Sequence, residues 1–220
     1  MTLYSIILPT YNERDNLPIF LWLLDRAMRE AELNYEVILV DDNSPDGTLE
    51  VAKELQSRLL DERRLVLRPR AGKLGLGSAY VHGLQSARGD FVVLMDADLS
   101  HHPKFIADFV DKQRSTDCDR KIVSRGANVL AQIMLWPGVS DLTGSFRLYR
   151  RSALESLVSH CISKGYVFQM EMAFRAKQMG LAIEEVPITF VDRFFGESKL
   201  GSTEIIQYAK GLLWLFFTVP

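Results

Sequence analysis

The chain has 220 residues, 47% of them hydrophobic and 25% charged, and its 26 basic and 28 acidic side chains leave a formal net charge of −2. That balance provides no field for nucleic acid, the composition is that of neither a disordered nor a membrane-spanning chain, and the length suits one large α/β domain with a sizeable core. Two cysteines, Cys118 and Cys161, lie far apart without CxxC spacing, which argues against a zinc site or disulfide scaffold and fits a reducing compartment.

The opening MTLYSIILPT lacks a basic n-region and enters a strand pattern at once, so it does not read as a signal peptide. Tyr4–Leu8 predicts a buried strand. Leu17, Leu21, Leu24, Met28 and Ala31 then recur at helical spacing, with Asn16 as N-cap and Pro18 in the first turn. The pattern repeats: strand Val37–Val40, loop DDNSPDGT, a helix carrying Leu49, Ala52, Leu55 and Leu59, and strand Leu65–Leu67. KLGLGSAYVHGLQSA reads as a helix behind a Gly-rich entry, and Arg88-Gly89-Asp90 as a turn into the strand Phe91–Met95. Beyond Asp98, helical patterns fall near Pro103–Gln113, Ile122–Leu135 and Val167–Met179, and a last strand, Glu184–Val191, leads into the loop DRFFGESKLGS. The apolar run LLWLFFTV, Leu212–Val219, is far shorter than the roughly 20 residues of a membrane span.

Strands alternating with helices predict a mostly parallel sheet covered on both faces, whose ligands bind beyond the carboxyl ends of the strands. The loops at those ends are Pro9-Thr10-Tyr11-Asn12-Glu13, Asp41-Asp42-Asn43 and Asp96-Ala97-Asp98. Carboxylates two residues apart on an extended segment project from the same side, so Asp96 and Asp98 can share a hard divalent cation, Mg²⁺ or Mn²⁺, that takes phosphate oxygens to complete its shell. His101 and His102 are neighbours at a helix start, a poor arrangement for a shared ion, and are assigned to that start. Lys73-Leu74-Gly75-Leu76-Gly77-Ser78 lacks the GxxxxGK[ST] order of a phosphate loop and reads as a close-packed helix entry.

LPTYNERDNLP, VDDNSPDGT, KLGLGSAY, MDADLSHHPKF, DLTGSFRLYRR, SKGYVFQMEM and FVDRFFGESKLG, in this order, resemble the eukaryotic dolichol-phosphate mannosyltransferases, inverting family 2 glycosyltransferases with the GT-A fold. The resemblance implies a single GT-A domain over 1–220 and transfer of mannose from GDP-mannose to dolichyl phosphate, giving the β-linked mannosyl lipid used in N-glycan, O-mannosyl and GPI-anchor synthesis. It places Pro9, Tyr11, Glu13, Val40 and Asp42 around guanine and ribose, Asp96, Ala97 and Asp98 at nucleotide and metal, and Arg193 and Lys199 on a mobile loop over the diphosphate. Asp98, Arg193 and Lys199 are then the catalytic set. Two cations six residues apart around Gly196 suit such closure over an anion. A phosphate monoester, with a second pKa near 6, needs no general base; Glu171 is open to a base role or to a polar-network role.

For the acceptor phosphate, the resemblance matches Arg120 and Ser124, four residues apart on a helix. It also exposes a departure: relatives carry a strand ended by a further Arg, and then a flexible loop, where here Asp119 joins Arg120 directly. Either Lys121–Ser124 is recruited as a substitute strand, with Arg125 replacing the lost Arg, or the segment stays helical and the sheet is short of a strand. The resemblance further implies peripheral attachment to the cytosolic face of the endoplasmic reticulum through small membrane subunits, with 208–220 as the docking segment or as a core-packed helix. Another polyprenyl-phosphate glycosyltransferase, such as one using UDP-glucose, and an inactive variant that only occupies its membrane partners are the alternatives.

Overall fold

The computed structural model describes residues 2–60, 62–115, 121–124, 144–163, 165 and 167–191, with 121–124 described by backbone alone. In β1 (Leu3–Thr10) the side chains of Tyr4, Ile6 and Leu8 join one buried cluster and Ile7 joins another, the period-2 alternation of a strand covered on both faces. β2 (Asn34–Asp41) divides in the same way, Val37 and Leu39 to one side, Ile38 and Val40 to the other. The first face is covered by α1 (Leu17–Glu30), α2 (Thr48–Arg58) and α4 (Phe105–Ser115). The second is covered by α3 (Leu76–Leu84), α5 (Arg151–His160) and α6 (Val167–Gln178). The result is a three-layer helix, sheet, helix arrangement.

With β3 (Leu65–Leu67), β4 (Phe91–Leu94), β5 (Lys121–Ser124), β6 (Arg147–Arg150) and β7 (Ala182–Glu184), the sheet runs β3-β2-β1-β4-β6-β5-β7. β3, β2, β1 and β4 are mutually parallel, and β6 is antiparallel to both β4 and β5. β6 therefore enters the sheet at the edge where β4 leaves it.

Four expectations need correction. Ile122–Ser124 is strand, not helix: it pairs with β6, while Lys121–Val123 pairs in parallel with β7, so a short β-branched segment joins those two strands. Residues 125–135 of the expected helix lie outside the described residues. The last strand is Ala182–Glu184 rather than Glu184–Val191, because Pro187 offers no amide to a ladder. β6 and α5 were not foreseen. Asn16 stands at the N-cap of α1 with Pro18 in the first turn, but its side chain makes no cap hydrogen bond and instead donates to Glu13 Oε2 at 2.8 Å.

Two glycines are dictated by close approach. A Cβ on Gly77 would lie 2.6 Å from Phe168, so the Gly-rich entry is indeed a close-packed helix start, α3 against α6. A Cβ on Gly89 would lie 2.6 Å from the Leu3 carbonyl oxygen, while Arg88 Nε and its backbone N–H donate to the Glu36 carboxylate, each at 2.7 Å. Arg88-Gly89-Asp90 is thus a turn locked onto β1 and β2.

Candidate functional site

The paired ends Pro9↔Val40 and Thr10↔Asp41 bring the first two strand-end loops together. Asp41 and Asp42 diverge, as successive residues of an extended chain must. Asp41, wholly buried, accepts from Thr10 Oγ1 at 3.0 Å and from the N–H and hydroxyl of Ser44 at 3.0 and 2.6 Å, so it ties the loop to the strand. Asp42 instead meets Arg70, whose Nε and Nη2 reach Oδ1 at 2.6 and 2.5 Å, with 5% and 8% of the two side chains exposed. Arg70 Nη1 also donates to Ser78 Oγ at 2.7 Å, joining the loops after β2 and β3 to the start of α3. Burial pushes the Asp42 carboxyl pKa above its ordinary value, and the Arg70 guanidinium only partly opposes that.

Three further bonds close the loop after β1 onto the loop after β2: Asn12 N–H to Ser44 Oγ at 3.1 Å, Glu13 N–H to Thr48 Oγ1 at 3.0 Å, and Arg14 N–H to Asp46 Oδ2 at 3.1 Å. Asp46 also accepts the N–H and hydroxyl of Thr48, the first residue of α2, at 3.0 and 2.5 Å, one position ahead of the N-cap Gly47. Burial would raise its pKa, but these donated bonds outweigh it and hold the carboxyl below the usual range. Tyr11 is half-buried at the rim, with the Lys73 ammonium 5.1 Å from its ring centre.

Beyond β4, Asp96 receives a bond from Ser145 Oγ to Oδ2 at 2.6 Å and a long one from Tyr80 to Oδ1 at 3.4 Å. Burial, then the charge of Asp96, pushes the Tyr80 hydroxyl pKa well up, so it stays protonated. Asp98, 4% exposed, accepts the Ser100 N–H at 3.1 Å and its hydroxyl at 2.5 Å. Between them Leu99 takes φ 64°, an uncommon value for a branched residue, held by burial of its side chain in the core. His101 is buried between Phe146 and Phe190, both at 5.4 Å, and His102 Nδ1 accepts the Lys104 N–H at 3.1 Å ahead of α4; both serve the chain's course at the helix start.

Of the expected site residues, Pro9, Tyr11, Glu13, Val40, Asp42, Asp96, Ala97 and Asp98 all fall along this one edge. Val40 and Ala97 turn their side chains into the core, which leaves their main chain to serve a ligand. Ser124 ends β5, paired with Arg147, so it does not share a helical face with Arg120. Arg120, Arg193, Lys199 and 208–220 lie outside the described residues. Glu171 is fully buried and accepts the N–H groups of Ile162 and Ser163 at 3.0 and 2.8 Å and Arg175 Nε at 2.7 Å. Burial would raise its pKa, yet these donors bring it below the ordinary value, which makes it a structural anion and a poor base.

Arg70, Ser100 and Ser145 were missed. Arg70 and Ser100 follow strands β3 and β4 and were open to the same strand-end rule that found the acids; Ser145 comes in on an antiparallel strand that no local pattern announces. Among the described residues no three His, Cys, Asp or Glu side chains cluster around one point. Asp96 and Asp98 are two hard oxygen donors at a half-open edge, a set that fits Mg²⁺ or Mn²⁺ whose remaining ligands are phosphate and water oxygens.

Known proteins agree with this architecture. The family model for Glycosyl transferase family 2 matches residues 5–127. Polyprenol monophosphomannose synthase of Mycolicibacterium smegmatis is 36% identical, covering 91% of this chain and 82% of its own. Undecaprenyl-phosphate mannosyltransferase of Micrococcus luteus is 37% identical, covering 89% and 86%. The first match extends over 222 positions, whereas 91% of 220 residues is about 200, so about 20 positions of that relative have no counterpart here. Glucosyl-3-phosphoglycerate synthase of Mycobacterium tuberculosis, solved with Mn²⁺, UDP and glucosyl-3-phosphoglycerate, superposes with a TM-score of 0.77 at 19% identity over 100% of this chain and 81% of that one. The strand order, the braced acids beyond β4 and these matches together place the chain in glycosyl transferase family 2, with the GT-A fold.

Proposed function

We propose that the protein transfers mannose from GDP-mannose to dolichyl phosphate, with inversion. The observation that carries the reading is the alignment of Asp96 and Asp98 with Asp42 and Tyr11 on one sheet edge, where a nucleotide can lie across the loops and its diphosphate can meet the acids. The names of the two mannosyl-transferring relatives support the sugar and the polyprenyl phosphate class.

Asp42, held by Arg70, and Tyr11 are assigned to the nucleoside, together with Pro9, Glu13 and the main chain of Val40. Asp96 and Asp98, with the main chain of Ala97, are assigned to a Mg²⁺ or Mn²⁺ ion, which when bound neutralises charge building on the departing diphosphate. Arg193 and Lys199 are assigned to the same task. The Val191 N–H donates to the Ser100 carbonyl at 3.2 Å, directly behind Asp98. The acceptor phosphate, largely ionised at neutral pH, attacks without a base.

Attachment at the endoplasmic reticulum, through small membrane subunits and 208–220, belongs to the same proposal; no helix among the described residues is long and apolar enough to cross a membrane. Deleting Leu212–Pro220 then releases the protein from membranes, and unchanged fractionation refutes the docking.

Pairing of Ile122–Ser124 between β6 and β7 supports the substitute-strand reading of the shortened segment, with Arg125 in place of the lost Arg. The same pairing favours a second reading, in which Ser124 is lost to the acceptor and the chain binds donor and membrane partners without turnover. The deciding experiment is radiolabelled mannose transfer from GDP-mannose to dolichyl phosphate with Mg²⁺ or Mn²⁺, competed by GDP and by UDP. Turnover inhibited by GDP supports the proposal. Transfer from UDP-glucose but not from GDP-mannose moves the donor to a uridine nucleotide, and partner binding without transfer establishes the second reading.

A further inference from the structure

We infer that Ser145 is a positioning residue for the donor site, fixing the orientation of the Asp96 carboxylate from the segment that leads into β6. The inference rests on the reading of Asp96 as a donor-site ligand. Its basis is the antiparallel register of β4 and β6. Val93 lies opposite Leu148 and Leu94 opposite Arg147. Two steps forward from Leu94 and two back from Arg147 bring Asp96 opposite Ser145.

The hydroxyl donates to Oδ2 at 2.6 Å, the short length of a bond to a charged oxygen, and Ser145 is 5% exposed, so water does not compete freely for it. Asp96 is less buried than its partner. The opposing bond from Tyr80 is long, at 3.4 Å, and Ser145 supplies the stronger constraint.

Core packing sets where that hydroxyl stands. Phe146, the next residue, turns to the other face and lies 4.5 Å from Phe109 and 5.4 Å from His101, ring centre to ring centre. His101 in turn follows Ser100, which braces Asp98. Each acid thus has its own serine, one local and one delivered by β6, and the short segment Ser145-Phe146 is tied to both. A site group held by a rigid element keeps its geometry more closely than one on a free loop. Without the hydroxyl, Asp96 gains rotamer freedom that metal or nucleotide must remove on binding.

The test uses the full chain with Ser145→Ala and Ser145→Thr, and GDP and Mn²⁺ as probes. Removing an orienting partner of a metal ligand costs about 10–100-fold in metal affinity. Ser145→Ala is expected to raise the Mn²⁺ concentration for half-maximal GDP binding, and for half-maximal transfer, by that factor. Turnover at saturating Mn²⁺ stays close to wild type, and Ser145→Thr, which keeps the hydroxyl, recovers most of the affinity. A purely structural serine would lower the melting temperature and leave the Mn²⁺ dependence alone, and that result overturns the inference. If wild-type GDP binding ignores Mn²⁺, the assignment of Asp96 to a metal site fails and this inference with it. If wild type needs Mn²⁺ and Ser145→Ala needs no more of it, only the inference fails.

Discussion

The parallel half of the sheet, β3-β2-β1-β4, and the mixed half, β6-β5-β7, contribute to the same edge by different means. In the parallel half each strand runs up to the edge and hands over to a loop that braces itself: Asp41 by Thr10 and Ser44, Asp42 by Arg70, Asp98 by Ser100. In the mixed half β6 comes down from the edge, so its contribution, Ser145 and Phe146, precedes the strand and serves residues that β4 has already delivered. The first half carries the donor-site candidates. The second half buttresses them and rebuilds its own pairing around Lys121–Ser124. Damage to the first is therefore expected to remove donor binding, and damage to the β5 pairing within the second to remove transfer first.

The largest effect is expected for Asp98→Ala. A metal-assisted leaving group is worth several kcal/mol, and each 1.36 kcal/mol is tenfold, so transfer should fall by roughly a thousandfold or more while the fold survives. Initial rates with melting curves check both parts. Next comes Arg70→Ala, which strands a buried Asp42 carboxylate; breaking such a pair costs about 3–5 kcal/mol. At about 2–4 °C per kcal/mol for a chain of this size, the melting temperature should drop visibly, and GDP affinity with it. Asp42→Asn should be milder, since it removes the buried charge along with its attraction.

Ile122→Pro probes the mixed half. Position 122 pairs with Tyr149 on one side and Ile183 on the other, and each backbone group left unpaired costs about 1–3 kcal/mol. Transfer should be lost with GDP binding retained; loss of both together would erase the division between the halves. The smallest effect is expected for Glu171→Gln, about 1.5–3 kcal/mol from hydrogen bonds to a charged group. Because the folded-state pKa of Glu171 lies below its ordinary 4.5, its contribution is present above that value and is lost as pH falls through the folded pKa. Denaturant midpoints from pH 7 to 3 should fall more steeply in wild type than in Glu171→Gln.

The same division explains what could be read from the chain beforehand. The parallel strands are apolar on both faces, so SIILP, EVILV and FVVL stand out without any knowledge of their partners, and the acids that end them are legible for the same reason. β6 hides because RLYR buries an arginine, 1% exposed, whose Nη1 reaches the Gln169 carbonyl at 2.8 Å; that contact depends on α6, 22 residues later. β5 hides because its four residues run straight into the helical spacing read over Ile122–Leu135, and its place between β6 and β7 lets the strand preference of Ile122 and Val123 win. Among site residues, Asp42, Asp96 and Asp98 announce themselves by charge beside apolar runs. Ser145 becomes visible only once the register of β4 and β6 is known.

The account stands on Asp96 and Asp98 holding a metal-bound nucleotide sugar at the edge of β4. Calorimetric titration of GDP-mannose into the full chain, with Mn²⁺ and then with chelator, measures that directly in wild type and in Asp98→Ala. Saturable binding that needs Mn²⁺ and disappears in Asp98→Ala is the predicted result. Binding of equal strength with chelator, or in the variant, would contradict it.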